Sequence, residues 1–330
     1  MPSFLVIQTA SIGDVILATP VLEKLHNKFP DAVIDIVVKN GMEQLFDNHP
    51  FAQVLVWNKS ENKYRNLLEL IKKVRSKKYD TIINLQRFAS TGFLTVFGGA
   101  KSTVGFDKNP FSFLFSRKVT HSFSKGDGIH EAQRNLNLVS HLADNLVIRP
   151  ALYPSKQDFE NIDIVTKKPY ICIAPASLWF TKQYPEHKWV DFISNIPSSM
   201  NVYLLGSKSD IDLCDRILKS SGNHKCENLA GELTLMQSAA LMSGAQMNYV
   251  NDSAPLHLAS AMNASVTAIF CSTVTDFGFG PLSDNSIVIQ TAEDLKCRPC
   301  GLHGQRICPQ KHFKCATSIN TNQLLSRLSK

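Results

Sequence analysis

The sequence predicts an α/β protein made of two doubly wound parallel-sheet domains, and three observations carry that prediction. Short, wholly apolar runs of strand length recur along the 330 residues. Each is followed by a stretch whose apolar residues repeat at helical spacing. The alternation stops once, in a polar stretch with Pro and Lys at 149–169, and then restarts. Strands apolar on both faces, alternating with helices, mean a parallel sheet covered on both sides. At roughly 100–200 residues per domain, this length fits two such units. We expect them at 1–158 and 159–330, with a terminal helix, 318–330, returning onto the first.

The elements follow in order. FLVIQ at 4–8 is a first strand, and Val15, Ala18, Leu22, Leu25 and Phe29 mark a helix after it. Strands are predicted at 33–38 and 54–57. A helix at 61–78 turns Leu67, Leu68, Ile71 and Val74 inward and ends in a crowd of Lys and Arg. A strand at 81–85 and a helix at 128–142 complete the first half. The second half reads as strands at 170–174, 202–205, 247–250, 266–270 and 287–289. Its helices are placed at 186–196, 209–218, 235–243, 255–262 and 320–328. No short-period repeat and no low-complexity segment is present.

Apolar residues at 44% and charged residues at 19% exclude a wholly disordered chain. The balance of 35 Lys+Arg against 28 Asp+Glu gives +7, which favours an anionic partner without choosing one. No segment reaches the roughly 18 apolar residues of a membrane span. The N-terminus reads as a buried strand, not a leader peptide, so a cytoplasmic protein is expected.

Open α/β sheets bind ligands at the carboxyl ends of their strands, so four strand-end loops are the candidates for chemistry. Thr9-Ala10-Ser11-Ile12-Gly13-Asp14 offers a tight turn at Gly13 and a carboxylate at a helix start, as a cap or as a reactive group. It matches neither GxGxxG nor the P-loop. The loop 174–185 offers Ser177, Thr181 and Lys182 to a diphosphate, unless Lys182 is an ordinary surface lysine. Gly206-Ser207-Lys208-Ser209-Asp210 places Asp210 to accept from a ribose hydroxyl or to cap the next helix. Asn251-Asp252-Ser253-Ala254-Pro255 leads into a helix whose N-terminal amides form an anion site, unless Asp252 or Ser253 serves only as a cap. His257 follows one turn later and is equally readable as a structural histidine.

Taken together, SIGDVILATPVL at 11–22, APASLWFTKQYPEHKW at 174–189, NLAGELTLMQSAALMSGA at 228–245 and NDSAPLHLASAM at 251–262 resemble glycosyltransferase family 9, the lipopolysaccharide heptosyltransferases and their relatives. CRPCGLHGQRICPQKHFKC at 297–315 is similar to the C-terminal region of that family. The resemblance implies the GT-B fold: two Rossmann-like domains facing a cleft, the first for the acceptor and the second for a nucleotide sugar. It implies inverting transfer without a bound metal or other cofactor, of heptose from ADP-heptose to a lipopolysaccharide core or a related anionic glycolipid. By the motif match, Asp14 is the general base, with Gly13 and Arg134 on the acceptor side. Lys182 binds donor diphosphate with Ser177 and Thr181, Asp210 lies near the ribose, and Asp252, Ser253, Ala254 and His257 hold sugar and phosphates. Two departures bear on the donor: Ala254 stands where the family pattern has Gly, and Lys182-Gln183-Tyr184-Pro185 stands for KRWP.

A transferase of the same fold with another nucleotide sugar and glycan acceptor is the runner-up. A non-catalytic, zinc-stabilised nucleic-acid-binding protein is the remote alternative, and no nucleic acid is expected as partner. We expect a monomer working at the inner face of the inner membrane, where the basic helix end at 72–78 and the segment 106–118, with Phe111, Phe113, Phe115, Lys108, Arg117 and Lys118, meet anionic lipid. Cys297, Cys300, Cys308 and Cys315, with His303 and His312 alongside, supply four soft ligands within 19 residues. Structural zinc, packed thiols and disulfides all remain open for them. In each case the segment is expected to brace the loop returning the terminal helix.

Overall fold

A computed structural model describes residues 1–122 and 128–328, and the chain divides into two units, Met1–Tyr153 and Pro154–Lys330. In the first, β1 (Ser3–Ile7), β2 (Val33–Lys39), β3 (Ala52–Trp57), β4 (Thr81–Asn84), β5 (Ser102–Phe106) and β6 (Arg117–Val119) form one sheet. Its order is β3-β2-β1-β4-β5-β6, and every neighbouring pair is parallel. The helices are α1 (Ile12–Ile16), α2 (Thr19–Lys28), α3 (Lys63–Lys77), α4 (Ala89–Phe97) and α5 (Glu131–Asn137). Leu5, Ile7, Val37, Leu55 and Ile82 from the strands pack with Leu67, Leu70, Ile71 and Val74 of α3 into a core.

The second unit repeats the plan. Its strands are β7 (Tyr170–Ala174), β8 (Asn201–Leu204), β9 (Cys226–Asn228), β10 (Met247–Asn251), β11 (Val266–Phe270) and β12 (Ser286–Gln290). They lie in the order β12-β11-β10-β7-β8-β9, again all parallel. Around them run α6 (Lys156–Thr166), α7 (Glu186–Ser194), α8 (Ile211–Ser221), α9 (Leu235–Gly244), α10 (Ala254–Ala261), α11 (Lys314–Thr317) and α12 (Asn322–Leu325). Counted from each unit's first strand, both sheets have the 3-2-1-4-5-6 order of dinucleotide-binding folds. The switch points lie between β1 and β4 and between β7 and β10.

Several expectations change. The first helix is two: α1 stops, and α2 begins with Pro20 in its first turn, where a missing N–H costs nothing. In α3 the inward residue is Leu70, 5% exposed, and Leu68 is 54% exposed, because the buried stripe runs through 67, 70, 71 and 74. The stretch 149–169 is not all linker. It contains α6, opened by a capping box in which Ser155 Oγ accepts from the Asp158 amide at 3.1 Å and Asp158 Oδ2 accepts from the Ser155 amide at 2.7 Å. α6 packs on α9, which draws the boundary back from 158 to 153. The terminal helix is the short α12, and its Leu324 joins the core of the second unit. Leu324 is buried with Ile171, Trp189 and Tyr249, and Tyr249 donates to the Leu324 carbonyl at 3.1 Å.

Candidate functional site

In the second unit the chemistry gathers at the β7/β10 switch point. Asn251, the buried last residue of β10, ties the loop after β7 in place. Its Nδ2 donates to the Pro175 carbonyl at 2.8 Å, and its Oδ1 accepts from the Tyr184 amide at 2.9 Å. That loop ends in a single tight turn, Phe180–Lys182. The turn aims Lys182 at the next strand end, and Lys182 Nζ lies 2.7 Å from Asp252 Oδ2. The side chains are 15% and 7% exposed. Asp252 Oδ2 also accepts from Thr273 Oγ1 at 2.6 Å. A carboxylate this buried needs such partners. The ammonium has three donors, so it can hold Asp252 and still reach an anion.

Ser253 is extended (φ −156°) and caps α10, whose first residue is Ala254 and second Pro255. The amide end of α10 therefore starts beside the ion pair and adds positive potential there. His257 is 5% exposed, inside the first turns of α10 and 6.3 Å from the Phe279 ring. Ser177 is half-buried, and its carbonyl accepts from Gln183 Nε2 at 2.6 Å.

Two predicted donor contacts are otherwise engaged. Thr181 is 1% exposed, and its Oγ1 accepts from the Gln305 amide at 2.8 Å and from Ser272 Oγ at 2.9 Å. Its hydroxyl oxygen thus serves the protein's own loops. Asp210 Oδ2 accepts from the amide and hydroxyl of Ser207 at 2.8 and 2.7 Å, the capping role held open for it. All eight cysteines are free thiols. Among the described residues no three Cys, His, Asp or Glu side chains stand together as metal ligands. Cys297 Sγ lies 3.8 Å from His312 Nε2, and burial and neighbouring thiols push the Cys315 thiol up to about 12. The segment that carries them meets the Thr181 loop and the end of β11, where Arg298 donates to the carbonyls of Cys271 at 2.8 Å and Thr273 at 2.7 Å.

In the first unit, Asp14 follows β1. It is the third residue of α1 and not its cap: Ser11 is the cap, and Asp14 Oδ2 accepts from the Ser11 amide at 3.1 Å and hydroxyl at 2.5 Å. Its other oxygen has no part in that box. Gly13 is buried within α1, its carbonyl accepting from the Leu17 amide at 2.9 Å, so it makes helix and not a turn. Arg134 is 4% exposed, bonded to Glu131 Oε2 at 3.1 Å and to the Ser122 carbonyl at 2.9 Å. Burial pushes the Glu131 carboxyl up, opposed by Arg134; Asp14 adds to the rise and Arg87 opposes it, so these four charges share one neighbourhood.

Sequence reasoning missed Lys59 in this unit. It follows β3, lies 4.4 Å over the Trp57 ring, and donates to Thr9 Oγ1 at 2.6 Å and the Thr9 carbonyl at 3.2 Å. Thr9 Oγ1 donates to Gln86 Oε1 at 2.5 Å, joining the ends of β1 and β4. Burial, then Lys63 and Lys39, bring the Lys59 ammonium down to about 8. The signal available was a lysine two residues after an apolar strand, on the strand-end side of the sheet. The structure also adds His121, buried against the Phe106 ring at 4.5 Å.

Two strand-end constellations, a carboxylate at one switch point and an ammonium–carboxylate pair at a helix start at the other, are the geometry against which the comparisons stand. The description "Glycosyltransferase family 9 (heptosyltransferase)" matches residues 67–308. Lipopolysaccharide heptosyltransferase 3 of Escherichia coli is 26% identical over 291 residues, 83% of this chain and 85% of that protein. The family 9 glycosyltransferase of Veillonella parvula superposes with a TM-score of 0.87 at 19% identity, covering 99% of this chain and 96% of the other. The Escherichia coli ADP-heptose lipopolysaccharide heptosyltransferase II superposes at 0.80 with 21% identity, covering 100% and 98%. The fold is therefore GT-B, and the nucleic-acid-binding alternative gives way to an enzyme. The chain belongs to glycosyltransferase family 9, the heptosyltransferase family, and is a glycosyltransferase.

Proposed function

We propose that the protein transfers heptose from ADP-heptose, with inversion and without a metal, to the lipopolysaccharide core or a related anionic glycolipid. The observation that carries this reading is the Lys182–Asp252 pair beside the start of α10, at the switch point of the second sheet. A nucleoside diphosphate is the ligand that such a place suits: Lys182 and the helix amides supply positive charge, and Asp252 can accept from sugar hydroxyls. The named activities of the relatives favour heptose and ADP over other nucleotide sugars.

In the reaction the acceptor hydroxyl oxygen attacks the anomeric carbon, and the bond from that carbon to the diphosphate oxygen breaks. The electron pair leaves with ADP, whose terminal phosphate gains negative charge that Lys182 and the α10 amides stabilise most in the transition state. The hydroxyl proton passes to Asp14, whose second oxygen lies outside its capping box. Attack opposite the leaving group inverts the anomeric centre. Arg87, Lys59 and the Arg134 region give the first unit the charge for an anionic acceptor. Among the described residues no helix is long and apolar enough to cross a membrane. We place the enzyme at the cytoplasmic face of the inner membrane, held through its surface.

Calorimetric titration with ADP-heptose, UDP-sugars and GDP-sugars tests the donor. Tight binding of ADP-heptose alone supports the reading, and preference for a UDP- or GDP-sugar replaces it with the transferase of other specificity. NMR of the product's anomeric centre tests inversion, and turnover in excess chelator tests metal independence.

A further inference from the structure

The cysteine-rich segment after β12 has no role in the chemistry described above, yet it bonds to a neighbour of each member of the Lys182–Asp252 pair. On one side, the backbone of Gln305 grips Thr181 twice: the Gln305 amide donates to Thr181 Oγ1 at 2.8 Å, and the Thr181 amide donates to the Gln305 carbonyl at 3.1 Å. Thr181 is the residue before Lys182. On the other side, the Arg298 guanidinium donates to the carbonyls of Cys271, Phe270 and Thr273 at 2.8, 3.2 and 2.7 Å. Thr273 in turn donates its hydroxyl to Asp252. The Cys300 amide adds a bond to the Ser272 carbonyl at 2.9 Å, and the Phe313 ring stacks on Phe180 at 5.0 Å. Between the two grips sits Gly304, buried, with φ +77°. A Cβ there would lie 3.0 Å from Thr181 Oγ1, 3.2 Å from Lys182 Cγ and 3.2 Å from Ser272 Oγ. Only glycine adopts that backbone freely and lets the segment close on the lysine stem.

We propose that residues 298–305 are a positioning clamp for the donor site, with Gly304 the residue that lets the clamp seat Lys182. The proposal rests on the reading of Lys182 as the diphosphate ligand. It assigns the segment a task other than bracing the terminal helix: fixing where the ammonium stands relative to Asp252, so that the pair is already arranged when the nucleotide arrives. Gly304 and Arg298 touch no substrate and act through Lys182 and Asp252. A site held this way loses affinity when its support shifts by a fraction of an ångström.

The test is a double-mutant cycle of Gly304→Ala and Lys182→Ala, read as ADP-heptose affinity by calorimetry alongside KM and kcat. Gly304→Ala alone should weaken donor binding about 10-fold or more, with acceptor KM unchanged. In the Lys182→Ala background it should add less than about 2-fold, because the group it positions is gone. Additive losses would mean general damage to the second unit and would overturn the proposal. Unchanged donor affinity in folded Gly304→Ala would also overturn it. If Gly304→Ala does not fold, Thr181→Val carries the same cycle, since it removes the oxygen that Gln305 and Ser272 hold while keeping the shape. A Lys182→Ala variant with normal donor affinity would instead sink the diphosphate reading itself, so the two failures are told apart.

Discussion

Lys182 and Asp252 hold each other across the switch point of the second sheet, Nζ to Oδ2 at 2.7 Å, although 70 residues of chain separate them. Removing Asp252 takes away the counter-charge of Lys182, and removing Lys182 leaves the buried Asp252 carboxylate with the Thr273 hydroxyl. Lys182→Ala should therefore weaken donor binding about 10- to 100-fold, the scale of a charge-assisted hydrogen bond of roughly 1.5–3 kcal/mol, and Asp252→Ala should impair the sugar nucleotide more than free ADP. Calorimetry with both ligands checks this. Equal losses for ADP and ADP-heptose in Asp252→Ala would reassign Asp252 to holding Lys182 only.

Asp14→Asn keeps a side-chain oxygen that can accept from Ser11 and removes the carboxylate proposed as the base. We expect kcat to fall by about 10²–10⁴ with donor affinity retained. Single-turnover kinetics with saturating donor measures it, and turnover above about a tenth of the parent enzyme would exclude Asp14 as the proton acceptor.

Lys59 gives the first unit a pH response. Its ammonium, brought down to about 8 by burial and by Lys63 and Lys39, is lost as pH rises through that value. If it attracts an anionic acceptor, acceptor KM should rise between pH 7.5 and about 9. Lys59→Arg, which stays charged, should flatten that rise. An acceptor KM that is flat to about pH 9.5 in the parent enzyme argues that Lys59 only ties Thr9.

Acid should destabilise the first unit. Burial brings His49 and His121 down to about 4, so both rings fold neutral. As pH falls from about 6.5 toward 4, the unfolded chain takes up protons that the folded one refuses. Stability declines through that window by up to about 3 kcal/mol per ring. Glu23, 3.7 Å from His49 and itself pushed up by burial, works in the opposite direction and softens the fall. Urea unfolding at several pH values between 4 and 7 reads the slope, which His49→Gln should make shallower.

Phe113 and Leu114 are 72% and 51% exposed, and Lys108, Arg117 and Lys118 are exposed near them in sequence. Phe115, expected with them, instead fills the space over Gly105, where a Cβ would meet its ring at 2.5 Å. Cosedimentation with anionic vesicles should be strong at low salt and fall steeply as salt rises. Substituting Phe113 and Leu114 by Ser should reduce it further. No vesicle binding at low salt would leave only a soluble encounter with the acceptor.

What the sequence showed follows from where each element lies. Central strands such as β7 and β11 are buried from end to end, and β1 from Phe4 onward, so their apolar runs stand out. The edge strands β6 (RKV) and β9 (CEN) are three residues long and largely polar, and nothing in their pattern separates them from loop. β5 (STVGF) carries a glycine that exists for Phe115, a reason visible only in three dimensions. The site divided the same way. The loops carrying Asp14, Lys182 and Asp252 were identifiable because each sits between an apolar strand and a helix. That Lys182 would meet Asp252 was not, because it depends on β7 lying beside β10. Thr181 is the opposite case: a hydroxyl in a ligand loop looks open in the sequence, and the chain that covers it comes 124 residues later.

The two sheets share one wiring diagram, and this gives every strand end a counterpart in the other half. The loop after β1, which presents a carboxylate, matches the loop after β7, which presents an amine. One scaffold address thus serves opposite electrical purposes, and each half keeps its own core while its loops diverge. Under the roles proposed here, acceptor choice and donor choice are separately heritable. Chimaeras joining the first half of one relative to the second half of another should then inherit their sugar preference from the second half alone.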